Sequence, residues 1–208
     1  MSALDRDRAE ALQELMNIAF GHSVADLADL LGTHVRISVP WVNLVDKHEI
    51  AELLERQLEK EATLSVIQQA FRGDFFGQAF LAMFSNQSKG LIHMLFEDAG
   101  YAPEIAMNKQ RLEALLEVGN MVIGACLAKF AELLKTTLAF DPPTVSEESI
   151  DSFQCLRPQK DYLCGALAVR ANFAVDSRQV SGFLFLYLPK ESIDRLFEEV
   201  DRFLETLE

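Results

Sequence analysis

The sequence predicts an α+β fold: a single pseudo-twofold symmetric domain in which two long helices lie against an antiparallel β-sheet. Three observations support this class: a gapless internal repeat, two β-rich runs with hairpin turns, and amphipathic spacing in the closing helix. With 208 residues, half of them apolar, the chain can bury a sizeable core as one domain.

The internal repeat places residues 10–40 over residues 113–143 at a constant offset of 103 (113 − 10). Twelve of the 31 aligned residues are identical, where unrelated sequences of this composition would share about two or three. Because the offset is about half the chain, it indicates two copies of one unit rather than a solenoid. We therefore expect one domain over 1–208, built from repeats at about 1–103 and 104–208.

Each half predicts the same order of elements: helix, strand, short helix, hairpin, helix. The extended segments follow the repeated helices, and Gly, Asp and Ser interrupt the β-rich runs in the manner of hairpin turns. The last helix, from about Pro189, has apolar residues at amphipathic spacing. The corresponding segments are 33–45 and 136–149 (extended), 62–84 and 162–189 (hairpins turning near Arg72–Asp74 and Asp176–Gln179), and 94–98 and 195–199 (within the closing helices).

A polar stripe occupies one face of the first repeated helix. Its members are spaced i, i+4, i+7 and i+11, which places them along one side of a helix. Two Glu one turn apart usually form a solvated face, and a single Asn there would mean little. Packing alone does not explain why both copies keep the same polar Asn. The stripe consists of Glu10, Glu14, Asn17 and Gly21 in the first copy, and Glu113, Glu117, Asn120 and Gly124 in the second.

The spacing Glu-x2-Asn, then 22 residues and Pro, occurs as Glu14, Asn17 and Pro40 and again in the second copy with Pro143. This pattern resembles the CheC/CheX/FliY family of response-regulator phosphatases of bacterial chemotaxis, and two complete copies resemble the CheC type. The family motif usually begins with Asp or Ser four residues before the Glu. Here Glu10 and Glu113 stand at that position, which leaves its role open.

The resemblance implies a phosphatase that hydrolyses the aspartyl-phosphate of a CheY-like response regulator. Asn17 and Asn120 would orient the attacking water, as the Gln of GTPases does, while Glu14 and Glu117 would dock the receiver. The glycines of the stripe would allow close approach of a partner backbone. The two prolines would fix a strand edge or turn beside each site.

The implied partners are a phosphorylated CheY-like response regulator and a CheD-like protein. The chain would need no cofactor of its own, because the receiver domain would supply Mg²⁺, and we expect a monomer or weak dimer. The alternative is a non-catalytic response-regulator-binding module or flagellar-switch adaptor of the same fold.

Composition excludes several other classes of function. The net charge of −13 disfavours nucleic acid and anionic membrane surfaces. The N-terminal residues are charged where a signal peptide is apolar, and no uninterrupted apolar run approaches about 18–20 residues, so we expect a cytoplasmic protein without membrane insertion.

Three cysteines and four histidines show no metal-ligand spacing. We expect the cysteines to be small buried hydrophobes, and Trp41 either to pack in the fold or to contact a partner.

Overall fold

The computed structural model describes residues 6–31, 34–45, 49, 52, 63–97, 107–149, 152, 166–175 and 178–206. Mixed helices and a wholly antiparallel sheet confirm the predicted α+β class. The predicted short helices fall on 46–62 and 150–165, where only Glu49, Glu52 and Ser152 are among the described residues. The elements are α1 (Arg6–Leu31), β1 (Val35–Val45), β2 (Thr63–Gly73), β3 (Gly77–Phe84), α2 (Ser85–Glu97), α3 (Met107–Leu133), β4 (Leu138–Phe140), β5 (Thr144–Ser149), β6 (Ala166–Val175), β7 (Arg178–Tyr187) and α4 (Lys190–Glu205).

The seven strands form one sheet in the order β1-β6-β7-β3-β2-β4, with β5 also paired to β2. This order is symmetric, because β1 extends the hairpin of the second half while β4 and β5 extend the hairpin of the first. The two hairpins meet through β3 and β7 at the centre. Each half therefore supplies an edge strand to the other, and the two copies build one sheet.

A bulge interrupts β1 beside Pro40. Ser38 lies opposite Asn172 and Trp41 lies opposite Arg170, so three steps on β1 match two on β6. Proline has no backbone N–H to donate to a ladder, and a bulge is one of the few places in a sheet where it fits.

The second copy has the same irregularity beside Pro143. Phe140 lies opposite Phe71 in the β4–β2 ladder, and Thr144 lies opposite Gln68 in the β5–β2 ladder. Four steps on the outer segment thus match three on β2. The repeated prolines therefore mark equivalent interruptions of the two edge strands.

The first hairpin turns where the sequence predicts. Arg72 and Gly73 end β2, and Asp74–Phe76 connect it to β3. Gly73 has a φ of +155°, and a Cβ at this position would overlap the carbonyl oxygen of Thr137, so glycine is required. In the second hairpin β6 ends at Val175 and β7 begins at Arg178; residues 176 and 177 lie outside the described part of the chain.

The main core lies between one face of the sheet and the helices. Alternate residues of β2 and β3 face the helices, and the residues between them are buried on the opposite face. Residues 110–133 of α3, with a mean hydropathy of 1.5, are long and apolar enough to span a membrane. Half of this apolar stretch is buried inside the fold, as is usual for the core helix of a folded protein. The largest core side chains include Phe20, Phe75, Phe130, Phe197, Leu12, Leu15 and Met16.

Gly119 brings α3 unusually close to the sheet. A Cβ at this residue would lie 2.5 Å from Cγ2 of Ile67 and 2.9 Å from its Cβ, well inside van der Waals contact. Ile67 is fully buried in β2, and its branched side chain has little rotamer freedom to yield. The first copy has Met16 at the equivalent position of α1 (16 + 103 = 119), and it is also fully buried.

The two long helices are anchored near their first turns by arginines at repeat-equivalent positions (8 + 103 = 111). Arg8 forms two hydrogen bonds of 2.8 and 2.7 Å to Asp201 of α4, and these lower the pKa of that carboxyl. Arg111, whose side chain is 9% exposed, donates a 2.6 Å hydrogen bond to Glu147 of β5. The arginines are repeated, but their partners are on different elements.

The Gly119 contact predicts that Gly119→Ala lowers the free energy of unfolding by about 1–3 kcal/mol, because overpacking a dense core costs that much. The matched control is Gly90→Ala in α2, where a Cβ meets no atom of the described residues within 4 Å. It should leave the stability unchanged or raise it by up to about 1 kcal/mol through helix propensity. Urea unfolding of the two variants measures this, and equal effects would contradict the close approach.

The Arg111–Glu147 pair predicts that Glu147→Gln destabilises the protein by about 1–2 kcal/mol at pH 7, because a mostly buried guanidinium loses its counter-charge. The hydrogen bond from Arg111 lowers the pKa of the Glu147 carboxyl. Its contribution is therefore present above the unfolded pKa near 4.5 and is lost as the pH falls through the lower folded value.

The control is Glu132→Gln, which removes an exposed ion pair with Lys129 on the same helix. It should leave the urea midpoint unchanged. A wild-type advantage over Glu147→Gln that does not shrink as the pH is lowered from 7 into the acid range would refute the electrostatic explanation.

Candidate functional site

The polar stripe of α1 lies on the surface of the helix. Glu10, Glu14 and Gly21 are exposed and Asn17 is half-buried. A Cβ on Gly21 would meet no atom within 4 Å in the part of the chain that the structure describes. Glu10 accepts a 2.7 Å hydrogen bond from Arg6 one turn earlier. Glu10, the residue that departs from the family motif, is therefore paired within its own helix.

The stripe of α3 is arranged in the same way. Glu113, Glu117 and Asn120 are exposed, and Gly124 is half-buried. A Cβ on Gly124 would lie 4.0 Å from Oδ1 of Asn120. The glycine thus leaves room directly beside the amide.

Core packing fixes which way each stripe faces. The face of each helix opposite the polar stripe is fully or almost fully buried. Neither helix can therefore rotate about its axis without exposing apolar side chains. The acid–amide pairs are consequently held on rigid elements rather than on loops. The buried residues that set this orientation are Leu12, Leu15, Met16 and Ala19 on α1, and Leu115, Val118, Val122 and Ile123 on α3.

The Asn120 side chain contacts a buried amide in the sheet. Gln69 of β2 is only 3% exposed, and its Nε2 donates to Oδ1 of Asn120 at 3.4 Å and to the backbone carbonyl of Asp141 at 3.0 Å. Oε1 of Gln69 is buried and accepts no hydrogen bond from a described residue. Sequence patterns alone did not identify Gln69 as a site residue. The feature that could have identified it is an amide at a helix-facing position of an otherwise apolar strand.

An exposed ion pair borders this second site. The guanidinium of Arg72 lies 2.5 Å from the carboxylate of Asp141, the residue whose carbonyl holds Gln69. Asp141 belongs to the segment between β4 and β5 that carries Pro143. The interrupted edge strand therefore reaches the surroundings of Asn120.

Other reactive groups in the described residues have structural roles. Ser23 is buried and donates to the carbonyl of Phe20 at 2.9 Å. Cys126 is buried, and burial raises the pKa of its thiol, which makes it a poor nucleophile. No group of three or more His, Cys, Asp or Glu suited to a metal occurs in the part of the chain that the structure describes. His48, Cys155, Cys164 and the side chains of Trp41 and His93 lie outside it.

Comparison with known proteins finds a similarity to one protein family. The model of the CheC-like family matches residues 9–44, which span most of α1 and β1 and include Glu14, Asn17 and Pro40. The CheY-P phosphatase CheC of Bacillus subtilis is 27% identical over 153 residues, covering 73% of this chain and 70% of that protein. The chain is therefore similar to members of the CheC-like family, over its first long helix and strand in particular.

Another sequence relative and two solved structures are also similar to this chain. The flagellar motor switch phosphatase FliY of Bacillus subtilis is 21% identical over 145 residues, covering 70% of this chain but 36% of that protein. The crystal structure of Thermotoga maritima FliY superposes with a TM-score of 0.76 at 16% identity, over 97% of this chain and 99% of that one. The FliM middle domain from H. pylori gives a TM-score of 0.62 at 11% identity, over 94% and 99%.

Proposed function

We propose that this protein is a phosphatase that hydrolyses the aspartyl-phosphate of a CheY-like response regulator. The observation that carries the proposal is the Glu-x2-Asn pair on the outer face of both long helices, Glu14/Asn17 and Glu117/Asn120, in which Asn17 is half-buried and the other three residues are exposed. Relatives named as CheY-P phosphatase and motor switch phosphatase support the reaction class.

The amide side chain suits the slow step of this hydrolysis. Hydrolysis of a receiver's aspartyl-phosphate needs a water molecule held in line with the scissile bond, and positioning is the main contribution that a protein can make to phosphoryl transfer. An Asn amide can both donate to and accept from one water molecule. Asn17 and Asn120 stand on helices whose rotation is fixed by core packing, so each can hold such a water without large movement.

The carboxylate one turn earlier suits docking. Residues three apart on a helix lie on the same face with a rise of about 4.5 Å, so Glu14 and Glu117 are close to their asparagines. Their negative charge can pair with a Lys of the receiver through charge-assisted hydrogen bonds. Gly21 and Gly124, the next members of each stripe, carry no side chain, so a partner backbone can approach there.

The chain itself needs to supply only positioning and docking. In this proposal the receiver brings its own Mg²⁺, which neutralises the phosphoryl charge, and the reaction takes place in the cytoplasm with the phosphorylated regulator as substrate. A CheD-like second partner and a monomeric or weakly dimeric state remain predictions from the family resemblance.

The alternative is a non-catalytic module that binds a phosphorylated regulator. The middle domain of FliM shares this fold, so the fold alone does not decide between the two. The acid–amide pair in both helices favours catalysis, since docking alone would not require an Asn at both positions.

The proposal predicts that Asn17→Ala with Asn120→Ala removes the acceleration of phospho-receiver decay, a loss of at least about 100-fold in the catalysed rate. Asn120 is exposed and Asn17 is half-buried, so the thermal unfolding midpoint should stay near that of the wild type. Loss of radiolabel from a purified phosphorylated receiver measures the rate.

The matched control is Asn86→Ala, an exposed amide at the start of α2, which should leave the rate unchanged. A double variant that still accelerates decay at the wild-type rate would remove the asparagines from the mechanism.

A further inference from the structure

We propose that Gln69 is a positioning residue for the second site, where it holds the Asn120 amide with Oδ1 toward the sheet and Nδ2 toward the partner. The inference rests on the function proposed above and adds a supporting residue to one of its two sites. A chain of contacts runs from the backbone carbonyl of Asp141 through Gln69 to Asn120.

The backbone carbonyl of Asp141 determines how the Gln69 amide is oriented. A carbonyl oxygen accepts and cannot donate, so the group 3.0 Å away must be Nε2 of Gln69 rather than Oε1. The same Nε2 lies 3.4 Å from Asn120, and a donor there requires an acceptor opposite. Asn120 must therefore present Oδ1 to the sheet, which leaves Nδ2 on the solvent side.

Gln69 is suited to this role because it is held firmly. It is 97% buried (3% exposed) in the helix-facing side of β2, and Gly119, next to Asn120, brings α3 against the neighbouring Ile67. Its other amide atom, Oε1, has no hydrogen-bond donor among the described residues. Burying an amide with its oxygen unpaired costs free energy. The presence of Gln69 here despite that cost indicates that its N–H donor is required.

The orientation leaves Asn120 ready to hold water. An amide oxygen has two lone pairs and an amide nitrogen has two N–H groups. Gln69 uses one lone pair, so the other and both N–H groups remain for a water molecule and the phosphoryl group. An amide that is already oriented loses less rotamer freedom when the receiver docks.

The first site lacks an equivalent amide at this strand position. Thr144 corresponds to Trp41 in the repeat (41 + 103 = 144), and these residues pair with Gln68 and Arg170 respectively. The residue after each is Gln69 in β2 and Ala171 in β6. Alanine has no side-chain donor, so Ala171 cannot make the contact that Gln69 makes at the second site.

The test compares Gln69→Leu in two backgrounds, each with one site left. With Asn17→Ala, where only Asn120 acts, Gln69→Leu should lower kcat about 10-fold or more with little change in KM. With Asn120→Ala, where only Asn17 acts, the same substitution should leave kcat unchanged. Gln68→Leu is the matched control, since Gln68 bonds to Gln78 rather than to the helix.

A loss of equal size in both backgrounds would show a merely structural role and overturn the proposal, and so would no loss in either. A second readout does not depend on catalysis: in ¹⁵N NMR the side-chain NH₂ of Asn120 should become more mobile in Gln69→Leu than in the wild type. Unchanged mobility would overturn the positioning role even if the phosphatase activity is real. Increased mobility in a protein without phosphatase activity would retain the contact and reject the proposed function instead.

Discussion

The close packing of α3 on β2 is the contact on which the rest of the second site depends. Gly119 removes the side chain that would otherwise separate the helix from Ile67. The adjacent Asn120 is thereby brought within reach of Gln69, a residue that is 51 positions away in the sequence. This approach sets the distance between helix and sheet at the second site, and the backbone carbonyl of Asp141 then sets the orientation of the Gln69 amide.

The two halves share a surface pattern but not the means of supporting it. Both long helices present Glu and Asn three residues apart, both begin near an anchored arginine, and both are followed by an edge strand interrupted at proline. Beneath the pattern, Met16 stands where the second half has Gly119, and Ala171 stands where it has Gln69. The two copies thus have similar outer faces over different interiors. This is expected of a duplicated unit in which function constrains the surface more than it constrains the packing.

Periodicity and the repeat were enough to predict the hairpins, the long helices and the exposed stripe, because these depend on neighbours in sequence. The exchange of edge strands could not be predicted, since the repeat does not say whether β1 pairs with β2 or with β6. The pairing of Arg111 with Glu147 and of Gln69 with Asn120 likewise depends on how α3 is placed over the sheet. In the strand that holds Gln69, the sequence shows a polar residue but not the helix above it.

Turnover distinguishes catalysis by the Glu–Asn pairs from binding alone. Purified phosphorylated CheY-like receiver is mixed with this protein at about one fiftieth of its concentration, and inorganic phosphate release is followed over time. We expect complete release, with many receivers dephosphorylated per protein molecule, at a rate proportional to the protein concentration. Release no faster than the receiver alone, together with stable binding of the phosphorylated form, would contradict it.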